Sequence, residues 1–119
     1  MVLVDTSVWV AHLRESNVAL VKLLNEGQVV CHPFIVGELA CGNLANRKEI
    51  LGLLHSLPQV IGADHEEVMR FVELHRLMGI GLGCVDVHLL ASARLSLAPL
   101  WTLDVKLRDA AEKLWIAFR

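Results

Sequence analysis

Val2-Leu3-Val4-Asp5-Thr6-Ser7-Val8-Trp9 decides how this chain is read, because Leu100-Trp101-Thr102-Leu103-Asp104-Val105-Lys106-Leu107 repeats its design near the other end. In each stretch a short apolar run meets an aspartate and then a helix-compatible segment. A strand that ends in this way presents its carboxylate at the strand's C-terminal edge, where open α/β sheets bind their ligands. Two more acids, Glu38 and Asp86, sit in equally apolar surroundings. Four such carboxylates look like a cation site.

The segments between these two stretches alternate in character, which predicts an α/β domain with a central, mostly parallel β-sheet flanked by α-helices. Residues 2–4 read as the first strand. A short helix follows, then a helix over about Asn17–Glu26 with Leu20, Val21 and Leu24 on one face and Gly27 at its end. Gln28–Cys31 reads as the second strand, and Pro33 suits the first turn of the next helix. Ile50, Leu53, Leu54 and Leu57 recur at helical spacing before Pro58 stops the helix. Gln59–Ile61 is a weak third strand. Asp64 with Glu67 forms an acidic variant of the capping box, and Val68, Phe71, Val72 and Met78 are the expected buried stripe. Gly79-Ile80-Gly81-Leu82-Gly83 reads as a flexible loop before a helix begun by Asp86. After a strand ending at Leu103, the last helix should bury Leu107, Ala110, Ala111 and Leu114. With no repeat, linker or low-complexity segment, residues 1–119 read as one domain.

Composition narrows the function. The chain is 119 residues long, 55% hydrophobic, with a mean hydropathy of +0.52. It has no apolar run near the roughly 18–20 residues a membrane span needs, and Asp5 interrupts the first apolar stretch, against a signal peptide. The apolar excess therefore points to surface covered by a partner. Cys31, Cys41 and Cys84 form no C-x-x-C pair, so they read as reduced, core cysteines of a cytoplasmic protein. A net charge of −2, from 11 basic and 13 acidic residues, argues against a non-specific nucleic-acid coat. It leaves room for a nuclease whose acids hold metal inside a basic rim, for which Arg14, Arg47, Lys48, Arg94, Lys106 and Arg108 are candidates.

Each acid also has a plainer reading. Asp5, Asp86 and Asp104 could be helix N-caps, since aspartate is among the best residues there. Glu38 is harder to place so, because it lies in Ile35-Val36-Gly37-Glu38-Leu39-Ala40 with no basic residue within one helical turn. A buried carboxylate needs a partner, and a metal ion is a good one. Mg²⁺ takes oxygen ligands and keeps several waters, so a few carboxylates suffice. Thr6, Ser7 and Thr102 flank the strand-end aspartates; hydroxyls there bond the local backbone or orient groups around a metal. The Gly79–Gly83 run lacks the spacing and lysine of a phosphate loop. His88 reads as a packing or surface residue, and the three tryptophans as core or interface residues.

Val2–Trp9, His32-Pro33-Phe34-Ile35-Val36-Gly37-Glu38-Leu39-Ala40-Cys41-Gly42, Gly81–Ala91 and Leu100–Leu107 together resemble the PIN-domain family, and more narrowly its VapC-type toxins of prokaryotic toxin–antitoxin pairs. The likeness covers nearly the whole chain, with all four acidic positions filled in order. It implies Asp5, Glu38, Asp86 and Asp104 around one or two Mg²⁺ or Mn²⁺ ions, and endoribonuclease activity on structured RNA such as transfer RNA or a ribosomal RNA loop. Hydrolysis would proceed without a 2′-hydroxyl nucleophile and leave 3′-hydroxyl and 5′-phosphate ends. A homodimer neutralised by a small VapB-like antitoxin is also implied. Alternatives are a free-standing PIN nuclease of RNA processing and a non-catalytic PIN-like interaction module. An aspartyl-phosphate phosphatase fits poorly, because Ser7 stands where that chemistry wants a second aspartate.

Overall fold

The computed structural model describes residues 1–119. Three short strands, β1 (Val2–Val4), β2 (Val29–Val30) and β3 (Leu100–Trp101), form a parallel sheet in the order β2-β1-β3. Val2 pairs with Val29 and Leu3 with Val30 on one side of β1; Leu3 pairs with Leu100 and Val4 with Trp101 on the other. β1 is therefore central, and all three of its side chains are buried, which is why it reads as an unbroken apolar run. Because β2 and β3 lie on opposite sides of β1, the chain reverses direction across the sheet between β1 and β3. The crevice at the C-terminal ends of such strands is the expected ligand site.

Seven helices supply the covering layers: α1 (Thr6–Arg14), α2 (Val18–Asn25), α3 (Pro33–Ala40), α4 (Arg47–Ser56), α5 (His65–His75), α6 (Cys84–Ser96) and α7 (Val105–Lys113). One contiguous apolar cluster runs from β1 through Trp9, Leu20, Ile35 and Leu54 to Leu90 and Leu107. The expected face of α7, made by Leu107, Ala110, Ala111 and Leu114, is buried. Asp64 and Glu67 form both halves of the expected capping box. α6 is the most enclosed helix: every residue from Val87 to Ala93 is buried. No helix is long and apolar enough to cross a membrane.

Several expectations change at the edges of elements. Gln59–Ile61 contributes a single parallel bridge, Cys31 to Gln59, outside β2. The opposite edge gains a bridge that hydropathy did not reveal: Ala117 pairs with Leu100, through Leu100 N–H to the Ile116 carbonyl at 2.7 Å and Phe118 N–H to the Leu100 carbonyl at 2.9 Å. On α5 the stripe ends differently. The helix stops at His75, so Met78 is exposed and Leu77 turns inward instead. Val21 and Leu53 likewise face outward while Leu20 and Leu54 are fully buried. Cys31 is a core thiol, but Cys41 and Cys84 are exposed because they sit at the end of α3 and the start of α6.

Candidate metal centre

Asp5 follows β1 directly and is buried. Its backbone continues the ladder, with Asp5 N–H bonded to the Trp101 carbonyl at 2.9 Å. One carboxylate oxygen, Oδ2, accepts from the Ser7 hydroxyl at 2.7 Å and the Thr102 hydroxyl at 2.8 Å, with a longer contact from Ser7 N–H that caps α1. The hydroxyls are themselves held from behind. Leu103 N–H donates to Ser7 Oγ at 3.0 Å, and Asp104 N–H donates to Thr102 Oγ1 at 3.1 Å. The turn after β3 is thus tied to the carboxylate after β1 by two relays of the form N–H to O–H to carboxylate.

Asp104 is the N-cap of α7, its Oδ1 accepting from Leu107 N–H at 2.9 Å. Asp86 does not begin its helix as the sequence suggested. Gly83 is the N-cap of α6, and Asp86, three residues in, accepts the Gly83 N–H through Oδ2 at 2.9 Å. The glycine run before it is a shaped turn, with φ of +69° at Gly79 and +87° at Gly81. Glu38 lies on α3 and is exposed, which removes the reason for assigning it a buried counter-charge. Thr6 is its partner: Thr6 Oγ1 donates to Glu38 Oε1 at 2.7 Å. Each of the three flanking hydroxyls therefore bonds a carboxylate.

These bonds divide every carboxylate in the same way. One oxygen of Asp5, Glu38, Asp86 and Asp104 is fixed by the fold, through Oδ2, Oε1, Oδ2 and Oδ1 respectively. The second oxygen of each makes no hydrogen bond to protein. Asp86 senses two of the other acids. Burial pushes the Asp86 carboxyl above its usual range, the Gly83 N–H opposes that shift, and the negative charges of Asp104 and Asp5 raise it further. Yet no three His, Cys, Asp or Glu side chains approach closely enough to chelate one ion. Each carboxylate is instead held separately by its own cap or hydroxyl partner.

Beside Glu38 a groove of about 560 Å³ runs between α1 and the α3–α4 connection, lined by Thr6, Arg14 and Asn43 and by the apolar Val10, Leu13 and Ile50. Under α3, His32 caps the helix by accepting Phe34 N–H on Nδ1 at 2.9 Å. Phe34 packs edge-on against buried His88 at 4.9 Å, which settles packing over surface for His88. The cap requires neutral His32; burial, with a smaller push from His88, lowers its pKa to about 4. Of the tryptophans, Trp9 is core, while Trp115 is exposed at φ +61°.

A small α/β domain with a three-stranded parallel sheet carries acids after β1 and β3, on α3 and in the first turn of α6. The chain belongs to the PIN domain family, whose pattern matches residues 2–113. It is 45% identical over 118 residues to Ribonuclease VapC32 of Mycobacterium tuberculosis, in strain CDC 1551 / Oshkosh and equally in strain ATCC 25618 / H37Rv. Each match covers 98% of this chain and 95% of the relative. The family expected from the four motifs is therefore the family found.

Proposed function

We propose that residues 1–119 form one divalent-metal-dependent endoribonuclease domain, the toxin of a toxin–antitoxin pair acting in the cytoplasm, with Asp5, Glu38, Asp86 and Asp104 as metal-holding residues. The observation that carries this reading is the division of labour in the four carboxylates: one oxygen anchored, one unbonded to protein. The donor set is all hard oxygen, which suits Mg²⁺ or Mn²⁺ rather than a softer ion. The name of the mycobacterial relative supports ribonuclease activity.

When bound, a divalent cation supplies Lewis-acid polarisation of a phosphodiester and activation of water. The protein's own residues prepare that chemistry. Ser7 and Thr102 each donate a hydroxyl hydrogen bond to one oxygen of Asp5, which leaves the other available as a ligand. Thr6 orients Glu38 in the same manner from the first residue of α1. Burial and its acidic neighbours disfavour the charged form of Asp86, and a cation held beside it would favour that form instead. RNA is the substrate, with a structured transfer or ribosomal RNA as the class to test. A VapB-like antitoxin and a second copy of the chain are the proposed protein partners. Exposed apolar side chains support them: Val10 and Leu13 along the Glu38 groove, and Leu74, Leu97 and Trp115 elsewhere.

A second reading, a non-catalytic PIN-like module, draws on the caps. Asp5 and Asp104 cap α1 and α7, and Asp86 bonds the first turn of α6, so each aspartate has a structural task. The two readings part on metal. Titration with Mn²⁺, followed by calorimetry and thermal unfolding, should show binding that Asp86→Asn weakens at least tenfold; absence of any binding would favour the module.

A further inference from the structure

We infer that the cleft between the end of α5, the Gly79–Gly83 turn and α7 holds a backbone phosphate of the RNA, outside the one that is cleaved. This rests on the ribonuclease reading and extends it to a substrate-binding subsite. The cleft encloses about 240 Å³ and gathers three cationic residues, Arg76, Lys106 and Lys113, against the single carboxylate of Asp109. On a chain whose net charge is −2, that is a local excess of positive charge. The guanidinium groups that bond within the chain belong to Arg47 and Arg94, so the Arg76 head is not spent on the fold.

Two details tie this cleft to the acidic edge. Lys106 stands two residues beyond Asp104, and its side chain lies over Gly81, where a Cβ would come within 2.7 Å of the Lys106 Nζ and 2.8 Å of its Cδ. At the other end of the same turn, Gly83 N–H bonds Asp86. One short turn thus carries a lysine ammonium at one end and a metal-holding carboxylate at the other. A duplex or hairpin whose scissile phosphate sits at the carboxylates would bring a neighbouring phosphate past this turn. Lys106 and Lys113 are seven residues apart and so share one face of α7, while Arg76 closes the cleft from the end of α5. An acidic protein segment is the competing occupant; the continuity with the carboxylate edge favours RNA.

Arg76 makes the test clean. It ends α5 in the left-handed region, at φ +53°, where glycine is the less strained residue. Arg76→Gly therefore removes the charge without lowering the thermal midpoint. The measurement is the affinity of unfractionated transfer RNA for the full chain without divalent metal, by fluorescence anisotropy over a salt series. Arg76→Gly, Lys106→Gln and Lys113→Gln are compared with Lys22→Gln on α2, and KM and kcat for transfer RNA cleavage are read in parallel. Each cleft variant should weaken binding and reduce the slope of log K against log salt by roughly 0.7–0.9, raising KM more than it lowers kcat. Lys22→Gln should match the wild type. If the wild type cleaves while the cleft variants keep its slope and KM, the subsite is wrong and the nuclease stands. If the wild type binds through the cleft yet cleaves nothing with metal, the nuclease reading fails and the cleft survives. If no transfer RNA binds at all, the subsite is overturned.

Discussion

Replacing Thr102 by valine would remove a hydroxyl and keep the shape of a side chain that is only 3% exposed. Three contacts go with it: the donation to Asp5 at 2.8 Å, the acceptance from Asp104 N–H at 3.1 Å and a longer, 3.3 Å contact with the Ser7 hydroxyl. A bond to a charged, buried acceptor contributes about 1.5–3 kcal/mol, and a neutral one about 0.5–1.5 kcal/mol. Asp5 keeps its bond from Ser7, which places the loss toward the lower end, about 2–3 kcal/mol. For a chain of this length that corresponds to a fall in Tm of roughly 10 °C. Urea unfolding of the metal-free protein measures it directly. At the proposed metal site the same relay would orient Asp5, so Mn²⁺ affinity by calorimetry should fall about 10–100-fold. Ser7→Ala acts on the same carboxylate oxygen, so the double variant should depart from additivity by about 1 kcal/mol. Thr102→Val that unfolds within 0.5 kcal/mol of wild type and binds Mn²⁺ unchanged would refute the claim that these hydroxyls organise Asp5.

Thr6→Val frees Glu38 at an exposed site; cleavage should fall about tenfold while urea stability changes by less than about 0.5 kcal/mol. His32 should make the fold acid-sensitive. Its pKa drops from 6.5 to about 4 on folding, so the unfolded chain takes up the proton first, and stability is full above pH 6.5 and declines as pH falls toward 4. The loss reaches at most about 3 kcal/mol, with buried His88 adding in the same direction. Urea unfolding at pH 7.5, 6 and 5 measures it, and His32→Asn, which can still cap α3, should flatten the profile. Cys31 is buried, with its thiol pushed up to about 11, so iodoacetamide at pH 8 should modify Cys41 and Cys84 in the native protein and Cys31 only after unfolding.

The sequence was most legible where one local rule acted alone. Val2–Val4 reads as a central strand because burial on both faces leaves an unbroken apolar run, and Asp5 follows from where that strand ends. By contrast, β3 stops at Trp101, not at Leu103 as expected, so Asp104 stands three residues beyond it as the cap of α7. The α7 stripe and the Asp64–Glu67 box are purely local patterns. Glu38 misled because its neighbours are apolar along the chain, whereas on a helix they turn to the core and leave it exposed. Its partner, Thr6, is 32 residues away and invisible to any window. The relays through Ser7 and Thr102 span 95 residues or more for the same reason. The Ala117 bridge was missed because a single residue pair has no periodicity to detect. Arg76 and Lys113 went unnoticed in the sequence because a basic residue at a helix end ordinarily reads as a solvated charge; only the cleft groups them with Lys106.

The most direct test is incubation of transfer RNA with the purified chain in Mn²⁺ or Mg²⁺, in EDTA, and with Asp5→Asn after its folding has been verified by circular dichroism. The four-carboxylate account predicts fragments with 5′-phosphate ends that require the metal and vanish in the variant. Metal-dependent cleavage that persists at full rate in Asp5→Asn would contradict it.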